Sequence, residues 1–202
     1  MYYLRRAFIM SLVPAFEIGF WNAWILCILL YAAVFVPLSM NSEIVEKRME
    51  GEPKGSDQKK STRIVHAITH VIIMPFTLIY SIFLPLQLGT WWFYAGLLIY
   101  LFGLFMVLMV SISFSSAPLD EPMSKGVYRI SRHPQYFGYF LAYAGIGIAC
   151  ASWVFLLCAL VWIGSWQFGI EEEERVLLEK YGDAYRKYMN RTPRWIGIAK
   201  KS

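Results

Sequence analysis

The chain has 202 residues, of which 57% are hydrophobic and 16% are charged, with a formal net charge of +5. A soluble domain needs only about half of its residues to be apolar, so this composition argues against an ordinary soluble domain and indicates a membrane protein. The positive charge lies between apolar runs, where positive-inside bias explains it, and we expect no nucleic-acid partner.

In chain order, the pattern predicts an all-α, polytopic integral membrane protein with about five transmembrane helices in a single domain, 1–202. The first apolar run is 15–36. A polar segment, 41–63, follows it, and its Gly and Pro turn signals predict a cytoplasmic loop. The next two runs, 64–86 and 91–114, are each long enough to cross a bilayer once.

The second half of the chain, 115–202, alternates polar and apolar segments. A polar loop, 115–133, leads into the apolar stretch 134–170, which has a short break at 151–153. This stretch predicts two short spans in a helical hairpin. From Glu171 the chain becomes charged and amphipathic, which predicts a cytoplasmic C-terminal helix.

The distribution of Lys and Arg predicts the orientation. These residues are concentrated in 41–63, in 115–133 and in the tail after Glu171, and they are absent from the short connections between the other spans. The three basic segments are therefore expected to share the cytoplasmic face. Arg5 and Arg6 precede the first run and favour the opposite orientation, so the N-terminal topology stays open.

A stripe of small residues in the predicted hairpin indicates close helix packing. Its members recur at helical spacing: Gly138, Ala142, Gly145 and Ala149. Small side chains of this kind let helix backbones approach each other within a membrane.

The sequence predicts no metal site. The cysteines all lie within apolar runs without a CxxC pair, which is typical of packing thiols. His66 and His70 are four residues apart and could share one helical face, but no third ligand is evident.

The stretch SRHPQYFGY, residues 131–139, joins a polar loop to an apolar run. Pro134 suits the first position of a helix, where a missing N–H costs nothing. His133 then falls at or beside the N-cap, and the free N–H groups together with Arg132 could bind an anion. The alternative is a basic anchor at the membrane boundary.

A second charged motif, EEEERVLLEKYGDAYRKYMNRTPR, covers residues 171–194. Four carboxylates directly after a span are unfavourable unless they are solvated, paired or bound to a cation. A solvated helix with pairs such as Glu171–Arg175 would also explain them.

Together, GVYRISRHPQYFGY and EExxLLxxYGxAYxxYxxRTPR resemble the isoprenylcysteine carboxyl methyltransferase family and its relatives, including phospholipid methyltransferases. These motifs cover about residues 124–196. Membrane sterol and steroid reductases have a stretch similar to Arg-His-Pro-x-Tyr. The glutamate pair Glu173 and Glu174, placed ahead of Tyr181-Gly182, favours the methyltransferases.

The resemblance implies S-adenosylmethionine (SAM) as the cofactor, held between the start of the helix at Pro134 and the tail. It therefore implies that 115–202 is the cofactor-binding and catalytic part of the chain. It implies a cofactor-binding set of Tyr128, His133, Pro134, Tyr136, Glu173, Glu174 and Tyr185. It also implies a catalytic set in which Arg132 lies near the acceptor's reacting group, namely Arg132, Glu174 and Arg194.

The predicted function is that of an integral membrane, SAM-dependent methyltransferase. Its acceptor would be lipid-like or otherwise apolar, with a prenylcysteine-type carboxylate favoured over a phospholipid amine or a small thiol. Carboxylates and aromatic faces fit the sulfonium of SAM because it is a cation. The alternatives are an NADPH-dependent membrane reductase and a non-catalytic scaffold or transporter subunit. The oligomeric state is left open.

Overall fold

A computed structural model describes residues 17–49 and 60–197. Within these ranges the regular elements are helices, and the extended pairing is limited to an isolated bridge between Asn22 and Pro85. The all-α prediction is confirmed for this part of the chain.

Several predicted features lie outside the described residues. They are Arg5 and Arg6, the middle of the 41–63 segment, the end of the basic tail, and the side chains of His66 and His70.

Eight α-helices are described, in chain order: α1 Trp24–Met40, α2 Ser42–Met49, α3 Lys60–Ile68, α4 Met74–Ile82, α5 Trp91–Ser116, α6 Pro134–Ala149, α7 Trp153–Tyr181 and α8 Asp183–Arg191. A π-helical segment, Thr69–Ile73, joins α3 to α4, and a 3-10 turn, Gly126–Arg129, precedes α6.

The start of the predicted 41–63 loop is helical instead. Glu43 lies in the first turn of α2, and Lys47 and Arg48 lie in its last turn, an arrangement that favours a helix through its dipole. Lys47 also donates to Glu43 at 2.7 Å, an i,i+4 pair on the helix surface. These local charges explain why a polar sequence forms a helix here.

Among the described residues, α5 and α7 are long and apolar enough to cross a membrane. A third span results if α1 and α2, which are bent by 94° relative to each other, are counted as one. α6 has 16 residues and is about 24 Å long, shorter than the ~30 Å hydrocarbon core. The predicted count of about five spans is therefore not confirmed.

α7 continues without a break from its apolar part into the glutamate run and ends at Tyr181. The sequence predicted a separate helix from Glu171, whereas Glu, Leu and Arg are good helix formers that extend the existing one. Gly182 follows with a φ of +54°, a conformation that favours glycine. This turn lets α8 change direction towards the start of α6.

The predicted small-residue stripe on α6 is confirmed as a packing face against α5. A Cβ added to Gly103 would lie 2.5 Å from the backbone N of Ala142 and 2.7 Å from the carbonyl oxygen of Gly138. A Cβ on Gly96 would meet the backbone of Gly145 and Ala149. The two backbones therefore touch, and this contact places the start of α6 beside α5.

A small aromatic cluster holds the tail against the rest of the protein. Tyr128, Tyr185 and Tyr188 are buried together with Val110 of α5. The Tyr188 hydroxyl donates to the carbonyl oxygen of Tyr128 at 2.7 Å. α8 is thereby fixed next to the turn that leads into α6.

Candidate active site

A cavity of about 490 Å³ opens among α1, α2, α5, α7, α8 and the start of α6. This volume is within the range of small-molecule sites. Apolar side chains from α1 and α5, such as Val34, Leu38 and Val110, line it together with polar and aromatic side chains from α6 and α7. A ligand with both an apolar and a charged part would fit such a lining.

The start of α6 has the predicted geometry, with Pro134 as its first residue and His133 as its N-cap. The tail holds this segment in place. The backbone N–H of Arg132 donates to the carbonyl oxygen of Pro193 at 3.0 Å, and the Ser131 hydroxyl donates to that of Arg194 at 3.2 Å. The two sequence motifs are therefore in direct contact, although Ser131 and Arg194 are 63 residues apart.

Glu174 is the centre of a buried ion cluster. Its Oε1 lies 3.0 Å from Nη2 of Arg132 and 3.2 Å from Nε2 of His133, and its Oε2 accepts from Nη2 of Arg194 at 2.7 Å. The side chain of Glu174 is only 5% exposed, so these cations replace the lost solvation of the carboxylate. The three residues predicted as catalytic thus form one cluster.

Glu173 has a different environment from Glu174. Its side chain is 41% exposed and lines the cavity, while Glu174 is not among the cavity-lining residues. Glu173 Oε2 accepts from the Tyr136 hydroxyl at 2.9 Å and lies 3.4 Å from Nδ1 of His133. One residue along an α-helix is a rotation of about 100°, which explains why consecutive carboxylates separate in this way.

The protein's own groups engage the Arg132 guanidinium. Besides the contact with Glu174, Nη1 donates to the carbonyl oxygen of Met189 at 3.1 Å. Its Nε is buried without a hydrogen-bond partner in the described part of the chain. The role of Arg132 towards an acceptor stays a prediction, and its observed contacts join α6 to α7 and α8.

Aromatic rings form part of the cavity wall. The His133 and Tyr136 rings are parallel within 3°, with centroids 5.6 Å apart, and Tyr136 stacks on Trp166 at 4.5 Å. Tyr128 and Tyr185 also line the cavity, and burial raises the pKa of Tyr185, which keeps its phenol neutral. Neutral aromatic faces attract cations.

Of the predicted cofactor-binding residues, all except Glu174 line this one cavity: Tyr128, His133, Pro134, Tyr136, Glu173 and Tyr185. Several other lining residues were not predicted from the sequence, among them Glu172, Trp166 and Arg48. Glu172 is adjacent to the motif and could have been included, but it is paired with Arg175 at 2.6 Å. No spacing rule connects Arg48 with residues of α6 or α7.

His133 lies between two carboxylates, and this determines its charge. Burial by itself lowers the pKa of the imidazole, but the hydrogen bonds to Glu173 and Glu174 outweigh burial, and the pKa is raised. Both ring nitrogens act as donors only in the imidazolium form. We therefore expect His133 to be cationic to a higher pH than a free imidazole.

This raised pKa predicts a pH dependence of stability. The contribution of His133 is fully present below its ordinary pKa of 6.5 and is lost as the pH rises through the raised, folded-state value. Melting temperatures of the wild type and of His133→Gln in detergent should converge as the pH increases from about 6 to about 9. A constant difference across that interval would contradict the prediction.

Comparison with protein families agrees with the geometry of this site. Residues 91–184 match the family model described as phospholipid methyltransferase. Over these residues the chain is similar to the phospholipid methyltransferase family. No curated protein matches the chain. The resemblance inferred from the two motifs is confirmed.

The matched region runs from the start of α5 to the first residues of α8. It includes the Arg132-His133-Pro134 segment and the glutamate run. The family indicates a membrane methyltransferase, and together with the apolar helices α5 and α7 it indicates an integral membrane protein. Arg194 and the helices before α5 lie outside the matched region.

Proposed function

We propose that the protein is a SAM-dependent methyltransferase acting on a lipid-like acceptor. The observation that carries the proposal is the cavity, in which the carboxylates Glu172 and Glu173 and the rings of Tyr136 and Trp166 share a lining with apolar residues of α1 and α5. The first set suits a cationic cofactor and the second an apolar acceptor. The match to the methyltransferase family supports the same reading.

The residues at the cavity fit SAM chemically. When bound, SAM supplies an electrophilic methyl group on a positively charged sulfur. Glu173, Tyr136 and Trp166 would hold the sulfonium through charge and ring faces. The first N–H groups of α6 would hold the cofactor's carboxylate.

The protein's contribution to methyl transfer is alignment and exclusion of water. The ion pairs with Glu174 fix the side chains of Arg132 and His133, so each lines the cavity in a single orientation. An anionic acceptor needs no base, which fits a prenylcysteine-type carboxylate, our first candidate. An amine would need a proton acceptor, and Glu173, which lines the cavity, would serve as one. A phospholipid amine is the second candidate, and the similarity of residues 91–184 to a phospholipid methyltransferase family supports a phospholipid acceptor.

The proposal includes the topology predicted from the sequence, with about five spans, a hairpin of α6 and α7, and the site at the cytoplasmic face. Support comes from the clustering of basic residues at one end of the helices. Arg48 contacts the C-terminal end of α5, while Arg132 and Arg194 meet at Glu174 near the start of α6.

Cofactor binding tests the proposal most directly. Purified protein in detergent should bind SAM and its demethylated product in isothermal titration, and it should not bind NADPH, the cofactor of the alternative reductase. Substituting Glu173→Gln should weaken SAM binding by about 1.5–3 kcal/mol, since a charge-assisted contact is lost. This corresponds to roughly ten- to a hundredfold in Kd.

Glu171→Gln is the matched control, because it removes the same charge from an exposed neighbour in the same helix turn. Equal SAM affinity in Glu173→Gln and Glu171→Gln would show that Glu173 does not contact the cofactor. If the wild type binds neither SAM nor NADPH, the non-catalytic scaffold is the hypothesis that remains. Binding of NADPH would favour the reductase.

A further inference from the structure

Arg48 is a buried cation in the cavity wall that the proposed cofactor site does not use. It is 5% exposed and lies in the last turn of α2. Its Nε donates to the carbonyl oxygen of Phe114 at 3.0 Å, and its Nη2 donates to those of Ala117 and Pro118 at 2.6 and 3.2 Å. The guanidinium also lies 5.3 Å from the centroid of the Phe114 ring.

These bonds give Arg48 a structural role at the C-terminal end of α5, where basic side chains satisfy free carbonyl groups. That role uses Nε and Nη2 only. Nη1 donates no hydrogen bond within the described part of the chain, and no carboxylate there is paired with Arg48. Within the described residues, capping therefore leaves the buried positive charge of Arg48 without a counter-ion, which is unfavourable unless a ligand supplies one.

The other cations of the cavity differ from Arg48 in this respect. Arg132 and His133 both contact Glu174, and His133 also contacts Glu173. Lys180 is exposed to solvent. Among the described residues that line the cavity, Arg48 is thus the cation that is both buried and unpaired with a carboxylate.

We infer that Arg48 binds the oxyanion of the lipid-like acceptor, either a carboxylate or a phosphate. This inference deepens the proposed function and rests on it. A guanidinium suits both groups because it offers several N–H donors in one plane. Its three backbone bonds hold the plane in place before the ligand arrives, which reduces the entropy lost on binding.

The residues around Arg48 fit the remainder of such a ligand. Val34, Leu38 and Val45 line the same cavity and supply apolar surface for a lipid chain. Arg48 also lies outside the region matched by the family, 91–184. The helices α1 and α2 would therefore add acceptor recognition to a methyltransferase site contributed by α5 to α8.

The test compares anionic amphiphiles with neutral partners of the same chain length. One pair is an S-prenylcysteine carboxylate and its methyl ester, and the other is a short-chain phosphatidic acid and the matching diacylglycerol. Binding to wild-type protein, Arg48→Met and Arg48→Lys is measured in neutral detergent by tryptophan fluorescence. Lys47→Met is the matched control, since it removes the same charge from an exposed position in the same helix.

Wild type and Lys47→Met should bind at least one anionic probe about ten- to a hundredfold more tightly than its neutral partner. Arg48→Met should lose this preference while its SAM affinity is unchanged. If Arg48→Met loses the preference for the anion only in the carboxylate pair, the acceptor is a carboxylate. If it loses the preference only in the phosphate pair, the acceptor is a phospholipid. If Arg48→Met does not fold, Arg48→Lys should keep a reduced preference, because a point charge replaces a planar donor.

Three results would overturn the inference: no anion preference in the wild type, an unchanged preference in Arg48→Met or Arg48→Lys, or a loss of SAM affinity in Arg48→Met. The last would assign the site to the cofactor's own carboxylate. Failure of the proposed function has a different signature, in which the wild type binds neither SAM nor its product.

Discussion

Replacing Glu174 by Gln is expected to lower the free energy of unfolding by about 3–5 kcal/mol, the range for removing one partner of a buried ion pair. Gln keeps the shape of the side chain but removes the charge that Arg132, His133 and Arg194 share. Arg132 is the critical partner, because its side chain is only 10% exposed and water cannot replace the carboxylate.

The melting temperature in detergent should fall by about 10 °C for a chain of this size. Glu171→Gln, which removes an exposed carboxylate from the same helix, should melt like the wild type. Glu173→Gln is the sharper comparison, since it should weaken SAM binding with a smaller loss of stability. If Glu174→Gln melts like Glu173→Gln, the ion cluster does not hold the site together.

Replacing Gly103 by Ala is expected to destabilise the protein by about 3 kcal/mol, at the upper end for overpacking. The new Cβ would lie 2.5 Å from the backbone N of Ala142, and a backbone atom cannot move aside as the end of a side chain can. α5 and α6 would have to separate. Because α6 carries Pro134 and the neighbouring His133, SAM affinity should decrease as well.

Gly164→Ala is the control for this substitution. Gly164 is also helical, but a Cβ there would meet nothing within 4 Å. Alanine is the better helix former by about 1 kcal/mol, so this variant should be as stable as the wild type or slightly more so. Thermal melting monitored by circular dichroism distinguishes the two variants. Equal melting of Gly103→Ala and wild type would show that α5 and α6 are not in backbone contact.

The sequence alone was sufficient for the features that depend on local chemistry. The apolar excess predicted a helical membrane protein, and Pro134 predicted the start of a helix, since proline needs no N–H partner there. The spacing of Gly138, Ala142, Gly145 and Ala149 predicted a packing face because residues at that spacing share one side of a helix. The two charged motifs also indicated the family whose model matches residues 91–184.

Helix bounds were harder to predict where charge and hydropathy disagree. The glutamates after Ile170 indicated a new element, yet α7 continues through them. Hydropathy indicates whether a helix is surrounded by lipid, protein or water. Where the helix ends depends instead on whether its residues favour helical backbone angles and whether its charged side chains are paired. The same reason explains α2, which forms within a segment too polar to be a span.

The sequence by itself determined which three segments form the site: the segment around His133, the glutamate run and the tail. Only the tertiary structure decided the roles within them. Burial and partners separate Glu174 from Glu173, although the two carboxylates are chemically identical and adjacent. Arg48 joins the cavity solely through the packing of α2 against the end of α5, a contact between residues 69 apart, Arg48 and Ala117. Long-range packing of this kind depends on shape and on the pairing of buried charges, neither of which a local pattern contains.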